Sequence, residues 1–221
     1  MDHTLRSQPT NRRPIRYGWR RLFAVIFSIA ILCVILIRAF LFDVFYIPSS
    51  SMEPTLEPGD RILVSRLDTS VQRGDLVVFD GTGSFDPYRG TNPWLHDPLG
   101  TLGQWVGLKG SQTIYVKRVV GVAGDRITCC SDTGTLLLNG QELEEPYLFP
   151  GDDPSTVNFD VIVPSGRIWV MGDHRSVSED SRALLAAPGG GMIREEKIIG
   201  KPIYRILPLQ HFGALEHIAT H

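Results

Sequence analysis

Sixteen consecutive uncharged residues, Leu22 to Ile37 (LFAVIFSIAILCVILI), constrain this chain more than any other stretch. A helix needs ~20 residues to span the ~30 Å hydrocarbon core of a bilayer. Continued through Arg38 to Phe42 the run reaches that length, and Arg38 then lies near one end, where a long cationic side chain reaches the headgroups. Arg6, Arg12, Arg13, Arg16, Arg20 and Arg21 precede the run, and Asp43 follows it. Because cytoplasmic flanks carry the excess of basic residues, this places the N-terminus in the cytoplasm and everything after residue 43 outside. Arg20-Arg21-Leu22-Phe23 also looks like part of a twin-arginine export signal, and a basic start before an apolar run suits a cleaved signal peptide. However, no A-x-A-like cleavage site follows, and the run passes into Ala39-Phe40-Leu41-Phe42 and on to Phe45. The expected organisation is a basic cytoplasmic stretch at 1–21, a single-pass anchor at 22–42 in the cytoplasmic membrane, and an extracytoplasmic domain at 43–221.

With 221 residues, there is room for one good domain beside the anchor. A net charge of -2 lacks the basic footprint of a nucleic-acid binder, so no nucleic acid is expected as a partner. The domain reads as mainly antiparallel β. Ile62-Leu63-Val64, Leu76 to Phe79, Ile114 to Val120, Thr135 to Leu138, Val161-Ile162-Val163, Ile168 to Met171 and Ile198-Ile199 are short, rich in β-branched residues and mostly bounded by turn formers. Asn139-Gly140, between Leu136-Leu137-Leu138 and Gln141-Glu142-Leu143, is a hairpin signal, because both residues tolerate positive φ. Residues 80–112 are Gly/Pro-rich and read as an insertion between two strands, and residues 1–20, polar and basic, read as disordered. Three cysteines are too few for a disulfide-built scaffold and fit no zinc site. Cys129 and Cys130 fall on the oxidising side, but neighbouring cysteines bridge only with strain, so two free or buried thiols are expected. Cys33 is expected to face lipid or another helix.

Metal and nucleotide chemistry find no support. The six histidines lack ligand spacing, and glycine fingerprints are missing. Asp132-Thr133-Gly134-Thr135 matches the loop of aspartic proteases, but that chemistry needs two carboxylates sharing a proton, and a turn before a strand explains the same residues. More informative is Ile47-Pro48-Ser49-Ser50-Ser51-Met52-Glu53-Pro54-Thr55-Leu56. A juxtamembrane linker does not need apolar residues placed around its serines or two prolines holding the backbone. A serine nucleophile needs a base. The G-x-S-x-G elbow that accompanies a histidine partner is absent, while a lysine serves if burial lowers it from ~10.4 by several units. Only four lysines exist, and Lys117 alone lies inside a long strand-like run, as either an edge gatekeeper or a desolvated amine.

Four segments decide between these. Ser51-Met52 with its flanks, Arg73 to Phe79 (RGDLVVF), Tyr115 to Asp125 (YVKRVVGVAGD) and Gly172 to Arg182 (GDHRSVSEDSR) resemble, in order, the sequence boxes of type I signal peptidases, the bacterial leader peptidases with a Ser/Lys dyad. They cover residues 47–182, and Gly200 to Gly213 is also similar. The resemblance implies a β-barrel-like catalytic domain of signal peptidase type, related to self-cleaving repressors, on the outer membrane surface. It implies Ser51 as nucleophile and Lys117 as general base, an oxyanion hole from the Ser51 N–H and the Ser49 hydroxyl, and Ser178 orienting the amine. Arg118, Asp173, Arg175, Asp180 and Arg182 match box residues read as structural ion pairs. Ile47, Met52, Leu56, Tyr115 and Val116 match one shallow pocket for a small substrate residue, and Phe45 another; core packing is the alternative for each. Three departures stand out: His174 for the usual asparagine, ALLAAPGGG after Arg182, and Ala123 where proline is frequent.

The implied activity is removal of signal peptides from exported preproteins after small residues, of A-x-A type. Its partners would be those signal peptides and membrane lipid, the protein would be a monomer, and the chemistry needs no cofactor. Two other readings remain: a membrane-anchored β-domain that binds a partner without activity, and a hydrolase built on His174.

Overall fold

The computed structural model describes residues 16–85, 100, 103, 110, 113–215 and 217–218. Most of the expected insertion at 80–112, and residues 1–15 of the expected disordered start, lie outside the described residues. The chain divides into two compact units, residues 1–39 and 40–221.

The first unit contains helix α1, Arg16–Phe40. Its stretch Gly18–Ile37 is long and apolar enough to cross a membrane by length and composition. The large apolar side chains from Trp19 to Ile37 are exposed on every side of the helix, as expected of a segment whose solvent is lipid. Cys33 is a free thiol on that surface. The helix begins inside the basic stretch, so residues 16–20 are helical rather than disordered: once a long apolar run has nucleated a helix, adding each flanking residue is easy.

The second unit is antiparallel β throughout its described pairings. Its strands are β1 (Phe42–Tyr46), β2 (Arg61–Ser65), β3 (Leu76–Asp80), β4 (Ile114–Gly121), β5 (Arg126–Cys129), β6 (Leu136–Leu138), β7 (Gln141–Glu142), β8 (Phe159–Ile162), β9 (Arg167–Met171), β10 (Ile193–Arg194), β11 (Ile198–Leu207) and β12 (Gly213–Ala214). One sheet runs β1-β2-β11-β3-β4-β9-β10 with β12 on β11, and a second runs β7-β6-β5-β8. The main sheet starts and ends on different strands, which makes the expected barrel-like core a half-barrel rather than a closed one.

Strand β4 is central. Its alternating side chains feed two cores, because successive residues point to opposite faces. Ile114 and Val116 pack with Ile47, Met52, Leu56, Ile62, Val64, Leu76 and Val78. Tyr115 and Val119 pack with Val77, Phe79, Ile168, Val170, Ile193 and Ile198. A third core, around Ile127, Leu136, Phe159 and Trp169, joins the small sheet to the end of β4 and β9.

All seven expected strand segments are strands. The last continues as β11 through Pro202, where the pairing with β2 shifts register, so the missing proline N–H falls at an irregularity of the ladder. Strand β1 was hidden in the tail of the apolar run, and β5 (RITC), with Ile127 its one large aliphatic side chain, lacked the apolar run that marked the others. Asn139 (φ 54°) and Gly140 (φ 86°) turn β6 into β7 as their sequence indicated. Cys129 and Cys130 are joined as a disulfide, which corrects the expectation of two thiols: the backbone here brings the adjacent side chains together.

Gly140→Ala places a Cβ on a positive-φ residue, so stability should fall by about 1 kcal/mol. Urea midpoints of the two proteins in detergent would check this.

Candidate active site

The residues after β1 do not continue as strand. Leu56 N–H donates to Met52 C=O (2.8 Å) and Glu53 N–H to Ser50 C=O (3.0 Å), coiling residues 50–56 into a tight turn. Met52 and Leu56 are drawn into the core, and that fixes Ser51 at the turn's start. Ser51 meets β4. Lys117 Nζ lies 2.6 Å from Ser51 Oγ and 3.0 Å from Ser178 Oγ, so the amine bridges two hydroxyls. Ser49 Oγ lies 3.4 Å from Ser51 Oγ.

Lys117 is 3% exposed. Removal from water disfavours its ammonium form and brings it down from the ordinary 10.5 to about 8. Carboxylates oppose that shift: Asp180, Asp173 and Glu179 each favour the charged amine. Two of these are partnered by arginine. Asp173 takes a bidentate bond from Arg118, at 2.8 and 2.6 Å, and Asp180 takes one from Arg182, at 2.8 Å to each oxygen. Burial pushes the Asp180 carboxyl up, but the bonds from Arg182 and from Gly172 N–H hold it below the usual range. Arg182 in turn pushes Lys117 towards neutrality. The arginines therefore hold strands together, and Arg182 also opposes the pull of the carboxylates on the amine.

The fully buried Arg118–Asp173 pair also fixes the turn to the base strand. Thr55 Oγ1 donates to Asp173 Oδ2 (2.5 Å) and accepts from Arg118 Nη2 (3.2 Å), while Arg118 Nη1 donates to Gly74 C=O (2.8 Å). The Arg118 guanidinium lies 4.1 Å over the Tyr147 ring, a cation–π contact. Arg175 is turned the other way. It pairs with Glu145 and donates to Pro154 C=O (2.7 Å) and Gly172 C=O (3.0 Å), fastening residues 145–154 behind the site.

Sequence reasoning missed Thr55, Glu145 and Gly172. Thr55 sat in plain view within the serine turn, but only the fold reveals its partners. A Cβ on Gly172 would run into the Ser51 carbonyl and the Ser178 hydroxyl, so the absence of a side chain is what lets the chain leaving β9 pass this close to both.

The pocket residues separate. Ile47, Met52 and Leu56 are 4%, 2% and 0% exposed, deep in one core. Phe45 and Val116 are half-buried against that core. Tyr115 lies on the opposite face of β4, the face of Lys117, with ring centroids 5.9 Å from Phe79 and 5.3 Å from Phe85. The His174 ring stacks on Phe149 (3.8 Å between centroids), and its nitrogens face Glu53 and Asp152, not Ser51 Oγ. Asp132 to Thr135 forms the turn before β6.

Asp173→Ala leaves a fully buried guanidinium uncompensated, a loss of about 3–5 kcal/mol, whereas the exposed, solvent-screened Arg126–Asp160 pair contributes little. Thermal unfolding of Asp173→Ala should therefore begin far below that of Asp160→Ala; equal melting temperatures would contradict this account.

The family model for "Signal peptidase, peptidase S26" matches residues 19–207. Signal peptidase I of Mycobacterium tuberculosis (strain ATCC 25618 / H37Rv) is 36% identical over 239 residues, covering 93% of this chain and 79% of the relative. Signal peptidase IB of Staphylococcus aureus is 31% identical, covering 87% of this chain and 93% of the relative. A crystal structure of a signal peptidase I from Enterococcus faecalis aligns at TM-score 0.39 and 22% identity, over 60% of this chain and 96% of that one. With a family model matching most of its length and relatives above 30% identity along nearly all of it, the chain belongs to the peptidase S26 family of signal peptidases.

Proposed function

We propose that the chain is a membrane-anchored serine endopeptidase that removes signal peptides from exported preproteins after small residues. Ser51 is the nucleophile and Lys117 the general base. One observation carries this reading: a buried lysine amine 2.6 Å from a serine hydroxyl, brought down to about 8 by burial. At pH ~7.4 an amine of that acidity is neutral in roughly one molecule in five, against about one in a thousand at its ordinary value.

Neutral Lys117 takes the Ser51 proton as the oxygen attacks the scissile carbonyl. The Ser51 N–H and the Ser49 hydroxyl are the donors for the developing oxyanion, a contribution of several kcal/mol. Lys117 then returns its proton to the leaving amine and next activates the water that releases the acyl group. Ser178 accepts from the amine and fixes its aim at Ser51 without adding negative charge. Lys117 and Tyr115 face one side of β4, while Phe45 and Val116 are half-buried at the core on the other, and these half-buried residues are the ones left to meet small substrate side chains. Helix α1 holds the domain to the membrane in which a signal peptide is also held. With its N-terminus in the cytoplasm, that tether raises the effective concentration of the scissile bond at the outer surface.

Cleavage of a purified preprotein, followed by sequencing of the new N-terminus, tests this. Ser51→Ala and Lys117→Ala should each lose activity by several orders of magnitude while remaining folded, since hydroxyl and base act as one unit. An active Lys117→Ala protein would sink the dyad.

The base works only when deprotonated, so kcat/KM should fall tenfold per pH unit below the Lys117 midpoint and level off above it. That midpoint should lie at about 8, and Ser178→Asp, which sets a carboxylate against the amine, should move it upward. A limb near the ordinary 10.5 in the unaltered protein would mean a solvated amine.

A further inference from the structure

His174 is the residue at which this chain departs from the box it otherwise matches, and its surroundings differ from those of a surface histidine. Its main-chain N–H donates to the Ser51 carbonyl at 3.2 Å. Its ring is mostly buried and stacked on Phe149 at an interplanar angle of 11°. Nδ1 lies 3.5 Å from Glu53 Oε2, and Nε2 lies 4.0 Å from Asp152 Oδ2. Nδ1 is buried and has no hydrogen-bond partner, so a charged acceptor stands just beyond bonding distance of an unsatisfied nitrogen.

Each of these contacts reaches something the site depends on. Glu53 is two residues beyond the nucleophile and belongs to the turn that holds Ser51. Asp152 is fixed in place, accepting from the Ser176 N–H at 3.0 Å. Burial pushes the Asp152 carboxyl up, but that bond and the neighbouring His174 hold it below the usual range, as a carboxylate. The charged neighbours within its own segment are already engaged: Asp173 with Arg118, and Arg175 with Glu145. The net charge facing the ring is therefore negative, from the serine turn on one side and the 149–154 segment on the other.

From this we infer that His174 is a positioning residue for Ser51: in its protonated form it clamps the nucleophile turn between its main-chain bond to Ser51 and its side-chain pair with Glu53. The inference rests on the peptidase reading above. An imidazolium donates from both nitrogens at once, to Glu53 and Asp152; a neutral ring has one N–H and turns a lone pair towards one of the carboxylates. The charged ring holds the clamp and the neutral ring releases it, so the clamp weakens as pH rises. Its effect on rate follows from tolerance, because a nucleophile displaced by a fraction of an ångström loses much of its alignment with base and oxyanion donors. The clamp thus offsets part of the activity that protonation of Lys117 removes below pH ~8, which broadens the working range towards acid.

The test uses the full chain in detergent, with His174→Asn, Glu53→Gln and the double variant. Melting temperatures should show coupling between the two positions at pH 6 that is lost at pH 8.5. The ratio of wild-type kcat to His174→Asn kcat should fall at least threefold between pH 6 and 8.5, with KM little changed, and Glu53→Gln should repeat the pattern without adding to it. A merely structural histidine would give a ratio that does not vary with pH. That result, or melting temperatures that are additive at pH 6, would overturn the inference in a protein that cleaves. A wild-type protein that cleaves no preprotein would instead overturn the proposed function.

Discussion

Everything at this site depends on an amine kept out of water. A lysine ammonium is strongly hydrated, and bringing it from 10.5 to about 8 means that the folded protein disfavours the charged form by about 3 kcal/mol. That cost is fully present below pH ~8, where Lys117 is charged in both folded and unfolded chains. It falls away between about 8 and 10.5, where only the unfolded chain still holds the proton. The fold therefore carries the Lys117 amine as a destabilising element at neutral pH and has to recover that energy elsewhere. The cores on the two faces of β4 are where it does so, with Val77, Phe79 and Val119 fully buried beside the lysine and Leu56, Ile62 and Val64 on the other side.

Burial alone would not keep the amine neutral, because the box that supplies Ser178 also brings Asp173, Glu179 and Asp180 close. Left unpaired, these carboxylates would restore the ammonium form. Arg118 and Arg182 take two of them, Asp173 and Asp180, into bidentate bonds, and Arg182 itself pushes the amine towards neutrality. The same bonds tie together four segments that are distant in sequence: the serine turn through Thr55, β4 through Arg118, β9 and its following loop through Asp173, and the start of β3 through Gly74. Calling these pairs structural is accurate but incomplete.

Much of this arrangement was legible in the sequence, and the unread parts share a cause. The β-branched run of Ile114 to Val120, the Asn139-Gly140 turn and the apolar run at 22–37 are local signals, set by side-chain shape and backbone freedom, and the structure shows strand, hairpin and helix there. Ser51 and Lys117 were each visible as an oddity within its own segment. Residues that act through distant partners were not visible: Thr55 means nothing until Asp173 lies 2.5 Å away, and Glu145 means nothing until Arg175 is beside it. Strand β1 was concealed for a related reason, since a strand that directly follows an apolar helix shares its composition and differs only in having β2 to pair with. The disulfide between Cys129 and Cys130 was misjudged from adjacency alone, because adjacency says nothing of the backbone between them.

Registry explains why so much must be held in place for so small a site. Val77 faces Lys117 and Leu76 faces Arg118 across β3 and β4, and Arg118 faces Met171 across β4 and β9. Consecutive residues on β4 thus carry the base and its electrostatic support, on opposite faces. Slipping β4 by one residue would exchange them, putting a guanidinium that cannot lose its proton against Ser51 and leaving the amine against Asp173. The buried Arg118–Asp173 pair forbids that exchange, since only the native register lets the guanidinium reach Asp173, Gly74 and Thr55 together. The ion pair that fastens the serine turn to β4 is thus also what selects the register that sets the amine against Ser51.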